Sequence, residues 1–265
     1  MILCIDIGNT NVVMGLMSSR GVLDLCKRVV TIKPTDISQR EQATDTFTAQ
    51  LAFFLCEDGR LDVPVHIDGC IICSVVPEFT PCVFSAVEYV TGTTPLVVGP
   101  DLKLGLTIGY ESAEQLGSDL IADAVAGVQQ YEGPLAIFDL GTATTCSVID
   151  EHATYQGTLI IPGLMISKSA LVAHASQLPD IACETPSRLV GRTTVEAMQS
   201  GLFFGTAAMI DGLIEHVQAE MNSPVTTLIT GGLASMIAPL CRRTVIYEEN
   251  LLLKGLWDMY FLNAR

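Results

Sequence analysis

Two short polar turns, each lying between two apolar segments, hold the residues whose types and spacing are best suited to chemistry. They read Asp6-Ile7-Gly8-Asn9-Thr10-Asn11 and Asp139-Leu140-Gly141-Thr142-Ala143-Thr144-Thr145. The glycine in each turn lets a phosphate group approach the backbone without meeting a Cβ atom, and the hydroxyl and amide side chains add hydrogen-bond donors. The aspartate would repel a phosphate, so we expect it to hold a cation, directly or through water, that meets the phosphate.

The two turns belong to two copies of one supersecondary unit, about half the chain apart. Apolar segments flank both turns, at residues 2–5 and 12–16 around the first and at residues 135–138 and 146–149 around the second. We therefore expect two hairpins, hairpin I at residues 2–16 and hairpin II at residues 135–149. A single copy would be interpreted as an ordinary polar turn, but the repetition predicts a nucleotide site. Neither turn is a Walker P-loop or a Rossmann fingerprint.

Strands that alternate with helices predict an α/β fold, with two similar ribonuclease H-like (actin-like) domains facing a nucleotide cleft. This is the arrangement of the actin, Hsp70 and sugar-kinase superfamily. We expect residues 1–113 and 114–265 to form the two domains, with one hairpin in each. Further strands are predicted at residues 70–76, 96–98 and 228–230, and helices at residues 47–55, 78–91, 113–130 and 195–221. In the last helix, Gly201 and Gly205 predict a close approach of two backbones.

Composition and charge restrict the partners. The formal charge of −15, from 14 Lys and Arg against 29 Asp and Glu, argues against a nucleic-acid partner and against an anionic membrane surface. No uninterrupted apolar segment approaches the roughly 18 to 20 residues of a membrane span, and the N-terminus lacks a signal-peptide pattern. The nine cysteines are expected to be small buried hydrophobic residues in a reducing cytosol, so we predict a cytoplasmic protein.

An ordered series of short motifs, spread from one end of the chain to the other, resembles the type III pantothenate kinases. Beside the two turns, the series comprises Ser74-Val75-Val76-Pro77, Tyr110-Glu111, Gly117-Ser118-Asp119, Pro162-Gly163, Thr194-Val195-Glu196-Ala197-Met198-Gln199-Ser200-Gly201, Thr230-Gly231-Gly232-Leu233-Ala234 and Leu253-Lys254-Gly255-Leu256. The resemblance implies ATP-dependent phosphorylation of the primary alcohol of pantothenate to 4'-phosphopantothenate, the first step of coenzyme A biosynthesis. It also implies a homodimer.

The resemblance further implies a role for each matching residue. The first phosphate loop would consist of Asp6, Ile7, Gly8, Asn9, Thr10, Asn11, Val12 and Val13, with Asp6 near Mg²⁺. In hairpin II, Thr142 would contact ATP and Asp139 would bind a monovalent cation, K⁺ or NH₄⁺. Asp119 would be the general base. The pantothenate site would be lined by Tyr110, Gly117, Ser118, Asp119, Leu120 and Thr194.

The chemistry of the residue types supports the role of Asp119, because a positioned carboxylate can accept the proton of an alcohol as the O–P bond forms. Structural interpretations remain open beside the functional ones. Asp119 could be a carboxylate at a helix start, stabilised by the helix dipole. Tyr110 could be a packed ring, and Thr194 could be a helix N-cap that also binds the ligand.

The chain departs from the family pattern at position 120, where Leu120 stands in place of an arginine that follows the catalytic aspartate. A guanidinium there would suit the pantothenate carboxylate, and leucine cannot replace it, so Arg188 or Arg192 would have to reach the site from elsewhere. Three functions stay open: a pantothenate kinase with an altered acceptor site, a degenerate nucleotide-binding paralogue with a regulatory role, or an actin-like phosphotransferase or phosphohydrolase with another small acceptor.

Overall fold

The computed structural model describes residues 1–56, 65–111 and 115–264, and these form two compact units. Unit 1 comprises Met1–Gly105, Glu114–Ala126 and Leu252–Arg265, and unit 2 comprises Leu106–Ala113 and Gly127–Leu251. The two units therefore interleave along the chain. The sequence predicted a single domain boundary, between residues 113 and 114. That boundary lies outside the described residues. The difference arises because the chain near residue 120 and the C-terminal segment pack with the N-terminal part.

The strands of unit 1 form one five-stranded sheet. They are β1 (Ile2–Ile7), β2 (Asn11–Met17), β3 (Leu23–Val30), β4 (Gly69–Ser74) and β5 (Leu96–Val97). Their order in the sheet is β3-β2-β1-β4-β5. The first three strands are antiparallel, while β4 runs parallel to β1 and β5 runs parallel to β4.

Unit 2 contains a six-stranded sheet with the same arrangement. Its strands are β6 (Thr107–Ile108), β7 (Leu135–Leu140), β8 (Ala143–Ile149), β9 (Thr154–Pro162), β10 (Thr226–Thr230) and β11 (Ile246–Tyr247). The order is β11-β10-β7-β8-β9-β6, so β7 to β11 repeat the order of β1 to β5, and β6 is added at one edge. The burial patterns of β1 and β2 recur in β7 and β8, so both predicted hairpins are confirmed.

Seven helices lie in the described part of the chain. They are α1 (Ile37–Leu55), α2 (Thr80–Thr91), α3 (Ser118–Gln130), α4 (Leu164–His174), α5 (Thr194–Met221), α6 (Ala234–Ile237) and α7 (Leu251–Asn263), and a 3-10 turn follows α6 at Ala238–Leu240. The sequence interpretation omitted the helices α4, α6 and α7 and the strands β3, β6, β9 and β11. It also began α1 ten residues late, because the polar first turns of α1 are held by the Asp36 cap, whose Oδ1 accepts from Gln39 N at 2.8 Å.

The sheet of unit 1 is covered on both faces by helices. On one face, alternate residues of β1 such as Ile5 belong to a core with Phe47 of α1 and Phe79, just before α2, whose rings meet edge to face at 5.8 Å. On the other face, a Cβ atom at Gly15 of β2 would meet Leu253 of α7. The helix α7 in turn packs on α3, because a Cβ atom at Gly255 would overlap the Ala122 carbonyl. The start of α3 is thereby fixed on the sheet of unit 1.

The long helix α5 is the core helix of unit 2. It is long and apolar enough to span a membrane, with a mean hydropathy of 1.2, yet its buried residues, Phe203 and Ile210 among them, belong to the core of unit 2. The predicted close approach at Gly201 and Gly205 is not found within the described chain, since a Cβ atom at either position would meet nothing within 4 Å.

Replacing Gly255 by alanine is expected to lower the free energy of unfolding by about 2 kcal/mol, because the methyl group would force α7 away from α3. Urea unfolding measures the effect. Gly212→Ala is the matched control, since Gly212 also lies in a helix and an added Cβ there meets nothing within 4 Å. The control should raise the stability by about 0.5–1 kcal/mol through helix propensity. Equal effects of the two substitutions would contradict the packing of α7 on α3.

Candidate active site

Hairpin I ends in a tight turn that the following chain holds in place. Gly8 N donates to Asn11 O at 3.0 Å, and a Cβ atom at Gly8 would lie 3.1 Å from that oxygen. After β3, Thr31 Oγ1 donates to Gly8 O at 2.6 Å and Thr31 N donates to Thr10 O at 3.0 Å. The turn is therefore a preformed loop, with half-buried Asp6 one residue before the end of β1.

A single hydroxyl group joins the end of β4 to the start of α3. Ser118 Oγ donates to Ser74 O at 2.9 Å and accepts from Ser74 N at 3.2 Å. The Cys73 thiol also donates to Ser118 Oγ, at 3.2 Å. Because Ser118 is the first residue of α3, these bonds fix where the helix begins relative to the strand.

Asp119 follows in the first turn of α3, and its carboxylate is held in a confined position. Its Oδ1 accepts from Leu120 N at 2.9 Å, and Gly117 leaves the space that this carboxylate occupies, since a Cβ atom there would overlap Oδ1. Burial raises the pKa of Asp119 above the ordinary value, although backbone hydrogen bonds partly oppose the shift. A carboxylate with a raised pKa is a stronger proton acceptor.

The Cys73 thiol shows that Asp6 and Asp119 belong to one cluster. Burial raises the pKa of Cys73 well above its ordinary value, and the charges of Asp6, Asp119 and Asp123 raise it further. Cys73 is the cross-strand neighbour of Asp6 in the parallel pair β1–β4, so the two side chains share a face of the sheet. The carboxylate of hairpin I and the carboxylate of α3 therefore lie around the same sulfur atom.

In unit 2, hairpin II closes through a turn one residue shorter than that of hairpin I, with Gly141 N donating to Ala143 O at 3.1 Å. Two glycines from other segments lie against it. Gly231 has a φ of +95°, and a Cβ atom there would overlap Asp139 Oδ1. A Cβ atom at Gly163 would overlap the carbonyls of Gly141 and Thr142. These approaches place carbonyl and carboxylate oxygens around the turn, and both glycines are required for them.

The oxygens beside Asp139 fit a cation. Thr145 is the cross-strand neighbour of Asp139, and its Oγ1 is buried without a hydrogen-bond partner among the described residues. An unpaired buried hydroxyl is costly unless a ligand satisfies it. No group of three or more His, Cys, Asp or Glu side chains placed to hold a metal occurs in the part of the chain that the structure describes.

Comparison with known proteins assigns the family. The family model described as type III pantothenate kinase matches residues 2–216. A type III pantothenate kinase of Bacillus cytotoxicus is 38% identical over 264 residues, covering 100% of this chain and 97% of the relative. The chain belongs to the type III pantothenate kinase family. A further relative of that name, from Exiguobacterium sibiricum, is 39% identical over 264 residues and covers 99% of this chain and 100% of its own.

Solved structures support the fold. An ethanolamine utilization protein from Carboxydothermus hydrogenoformans aligns with a TM-score of 0.57 and 13% identity, over 98% of this chain and 89% of its own. The activator of the 2-hydroxyisocaproyl-CoA dehydratase from Clostridium difficile, solved with bound ADPNP, aligns with a TM-score of 0.53 and 12% identity, over 97% and 92%. The fold is the predicted actin-like α/β fold with two sheets.

The family resemblance predicts a set of site residues, and these residues are divided between the two units. Unit 1 holds the loop from Asp6 to Val13 and the segment from Gly117 to Leu120, whereas unit 2 holds Tyr110, Asp139, Thr142 and Thr194. Thr142 and Thr194 are exposed and Tyr110 is half-buried.

Two sequence interpretations change with the structure. The N-cap of α5 is Thr193, whose Oγ1 accepts from Glu196 N at 3.2 Å, so Thr194 is not the cap and its hydroxyl is not used in this way. Leu120 is only 8% exposed, so its side chain packs in the protein. The sequence analysis also left Cys73, Gly163 and Gly231 out of the site, although each lies within or next to a motif of small residues.

Asp119→Asn is expected to raise the free energy of unfolding at neutral pH in buffer without divalent cations. The folded-state pKa of Asp119 lies above the unfolded value, so its ionised form destabilises the fold once the pH exceeds that folded pKa. The gain in unfolding free energy should shrink as the pH falls from the folded-state pKa of Asp119 to its unfolded-state pKa, and it should vanish at lower pH. Urea unfolding at several pH values measures this, with exposed Asp24→Asn as the control. A pH-independent difference would contradict the buried carboxylate.

Proposed function

We propose that this family member transfers the terminal phosphoryl group of ATP to the primary alcohol of pantothenate, forming 4'-phosphopantothenate in the first step of coenzyme A biosynthesis. The observation that carries the proposal is the pairing, within unit 1, of a phosphate loop and a buried carboxylate. Asp6 and Asp119 both influence the Cys73 thiol, so a metal-binding group and a candidate base lie on one face of one sheet. Membership of the family supplies the substrate.

In this mechanism Asp119 is the general base. It would accept the proton of the acceptor hydroxyl as the O–P bond forms. Its raised pKa favours proton uptake, and its bond from Leu120 N keeps one carboxylate oxygen oriented. Most of the acceleration would come from in-line placement of the reactants and from neutralisation of the phosphate charge.

The metal partner of the phosphates would be held at Asp6. Mg²⁺ prefers oxygen ligands and is commonly bound through one or two carboxylates together with substrate phosphates, which suits the single carboxylate at the end of β1. When bound, Mg²⁺ would neutralise charge on the triphosphate. The backbone N–H groups of the loop from Asp6 to Val13, opened by Gly8, would supply the other phosphate contacts.

Hairpin II would complete the nucleotide site. Thr142 would contact ATP, because its side chain is exposed at the tip of the turn. Asp139 would bind the monovalent cation, K⁺ or NH₄⁺, and the unpaired Oγ1 of Thr145 would be a further ligand. The pantothenate site would be lined by Tyr110, Thr194 and the segment Gly117–Leu120. Within that segment Ser118 contributes by position, since its hydroxyl is used on β4.

We further propose a cytoplasmic homodimer. Unit 2 exposes apolar side chains along α4 and just before α5, namely Met165, Ile166, Leu171, Leu189 and Val190. Large apolar side chains left exposed in one copy of a chain can be buried in an interface between copies. We do not expect nucleic acid or an anionic membrane as a partner, because the chain has a formal charge of −15.

A coupled assay of ADP release with and without pantothenate tests the proposed function. ADP release that requires pantothenate supports it. ATP binding without turnover would favour the regulatory paralogue, and turnover indifferent to pantothenate would favour another acceptor or hydrolysis. The observation that keeps these alternatives in the test is Leu120, which is packed and apolar where the family pattern has arginine.

Asp119→Asn should lower kcat by about 100- to 10,000-fold, because the amide cannot accept the proton. ATP binding should not weaken, since no phosphate contact is removed. Steady-state kinetics and calorimetric titration measure the two effects. Asp24→Asn is the control for a charge change elsewhere in unit 1, and it should leave both quantities unchanged. Retained turnover in the Asp119→Asn variant would remove this carboxylate from the mechanism.

Leu120→Arg should lower the KM for pantothenate by about 10-fold or more if position 120 faces the acceptor carboxylate, through a charge-assisted contact. Leu120→Met, which keeps the packing, should leave KM unchanged. Because Leu120 is packed, circular dichroism must show that the Leu120→Arg variant is folded. An unchanged or higher KM in a folded variant would count against this assignment of position 120.

A further inference from the structure

The two hairpins differ in the third strand that flanks each of them. In unit 1, Asp6 lies opposite Val13 and Val13 lies opposite Arg28 of β3. The corresponding row in unit 2 is Asp139, Thr145 and Ile160 of β9. Directly opposed residues of antiparallel strands point to the same face, so Arg28 shares the face of Asp6. The position equivalent to Arg28 is an isoleucine that is 72% exposed.

Arg28 is available to bind a ligand. Its side chain is exposed, and it has no ion pair or side-chain hydrogen bond to any residue that the structure describes. The preceding residue, Lys27, lies on the opposite face of β3, where its ammonium group stacks on Phe53 at 4.7 Å from the ring centroid. The two neighbouring cations of β3 therefore have different surroundings, and of the two only Lys27 packs against another side chain.

A second cation lies on the loop itself. Lys33, three residues beyond the end of β3, donates from Nζ to Asn9 Oδ1 in the turn of hairpin I at 3.0 Å. Both groups are exposed, and an ammonium group with one such bond retains two further N–H donors. Thr31 fastens the same segment to Gly8 and Thr10, so the position of Lys33 beside the turn is set by the backbone.

The charge distribution of unit 1 gives such cations a role. The charges of Asp6, Asp119 and Asp123 all act on the Cys73 thiol, and the whole chain carries a formal charge of −15. A triphosphate that approached this face would meet carboxylates on the sheet and on α3, and these negative charges would add to its own. Cations beside the turn would offset the repulsion where the terminal phosphate lies.

We propose that Arg28 and Lys33 bind the terminal phosphate of a nucleoside triphosphate held by hairpin I, so that this site distinguishes ATP from ADP. The inference rests on the proposed function of hairpin I as a phosphate loop. Guanidinium and ammonium groups form short, charge-assisted hydrogen bonds to phosphate oxygens. Hairpin II has no cation in the equivalent strand position, so the discrimination belongs to unit 1.

Calorimetric titration of the full chain with Mg²⁺, without acceptor, tests the proposal. The titrants are a non-hydrolysable ATP analogue and ADP. Arg28→Gln and Lys33→Gln should each weaken binding of the ATP analogue by about 10-fold and binding of ADP by less than about 2-fold. Arg28→Lys, which keeps the charge, should lose less affinity for the ATP analogue than Arg28→Gln does. Arg20→Gln removes the same charge from the exposed turn between β2 and β3, and it should change neither affinity.

The proposal is overturned if neither glutamine variant lowers the preference for the ATP analogue over ADP relative to Arg20→Gln, with thermal unfolding showing that all variants are folded. The result is separable from that of the proposed function. Variants that lose the ATP preference in a chain that does not phosphorylate pantothenate support this inference and contradict the function. If the variants keep the ATP preference and the chain phosphorylates pantothenate, the result contradicts this inference and supports the proposed function.

Discussion

The hydroxyl of Ser118 is the contact on which the arrangement of unit 1 depends. It bonds to both backbone groups of Ser74 and accepts from the Cys73 thiol. The strand β4 that carries these residues is in register with β1, with Cys73 opposite Asp6. Since Asp119 directly follows Ser118, one hydroxyl and one strand pairing set the position of the candidate base relative to the phosphate loop. Neither carboxylate could be moved without breaking the sheet or the helix start.

This arrangement works against the stability of the fold. Burial disfavours the ionised form of Asp119, and the charges of three carboxylates fall on one thiol. A protein selected for stability alone would place apolar residues here. The ionised carboxylates would become favourable when a cation is bound beside them, because the opposite charge then offsets their burial. The cost of burying these charges is thus part of how the site would favour a bound cation.

The sequence predicted those parts of the structure that local pattern determines. Both hairpins, the alternation of strands and helices and the actin-like fold follow from apolar segments around glycine-containing polar turns. The contacts that complete the site depend on residues distant in sequence. Thr193 rather than Thr194 caps α5 because the choice between adjacent threonines is set by backbone angles. Similarly, the approach of Gly231 to Asp139 depends on the pairing of β10 with β7.

The two units share one strand arrangement but differ in the residues beside the aspartate of each hairpin. The aspartate occupies the same register position in both hairpins, yet its cross-strand neighbours are Val13 and Arg28 in one unit and Thr145 and Ile160 in the other. Under the proposed function, the apolar neighbour followed by a cation would leave room for a metal-bound phosphate, whereas the unpaired hydroxyl and nearby carbonyls would suit a small cation. The backbone fixes where the aspartates lie. The residues beside them would then decide which ligand each aspartate can hold, and the proposed functions of the two hairpins would differ through their flanking strands.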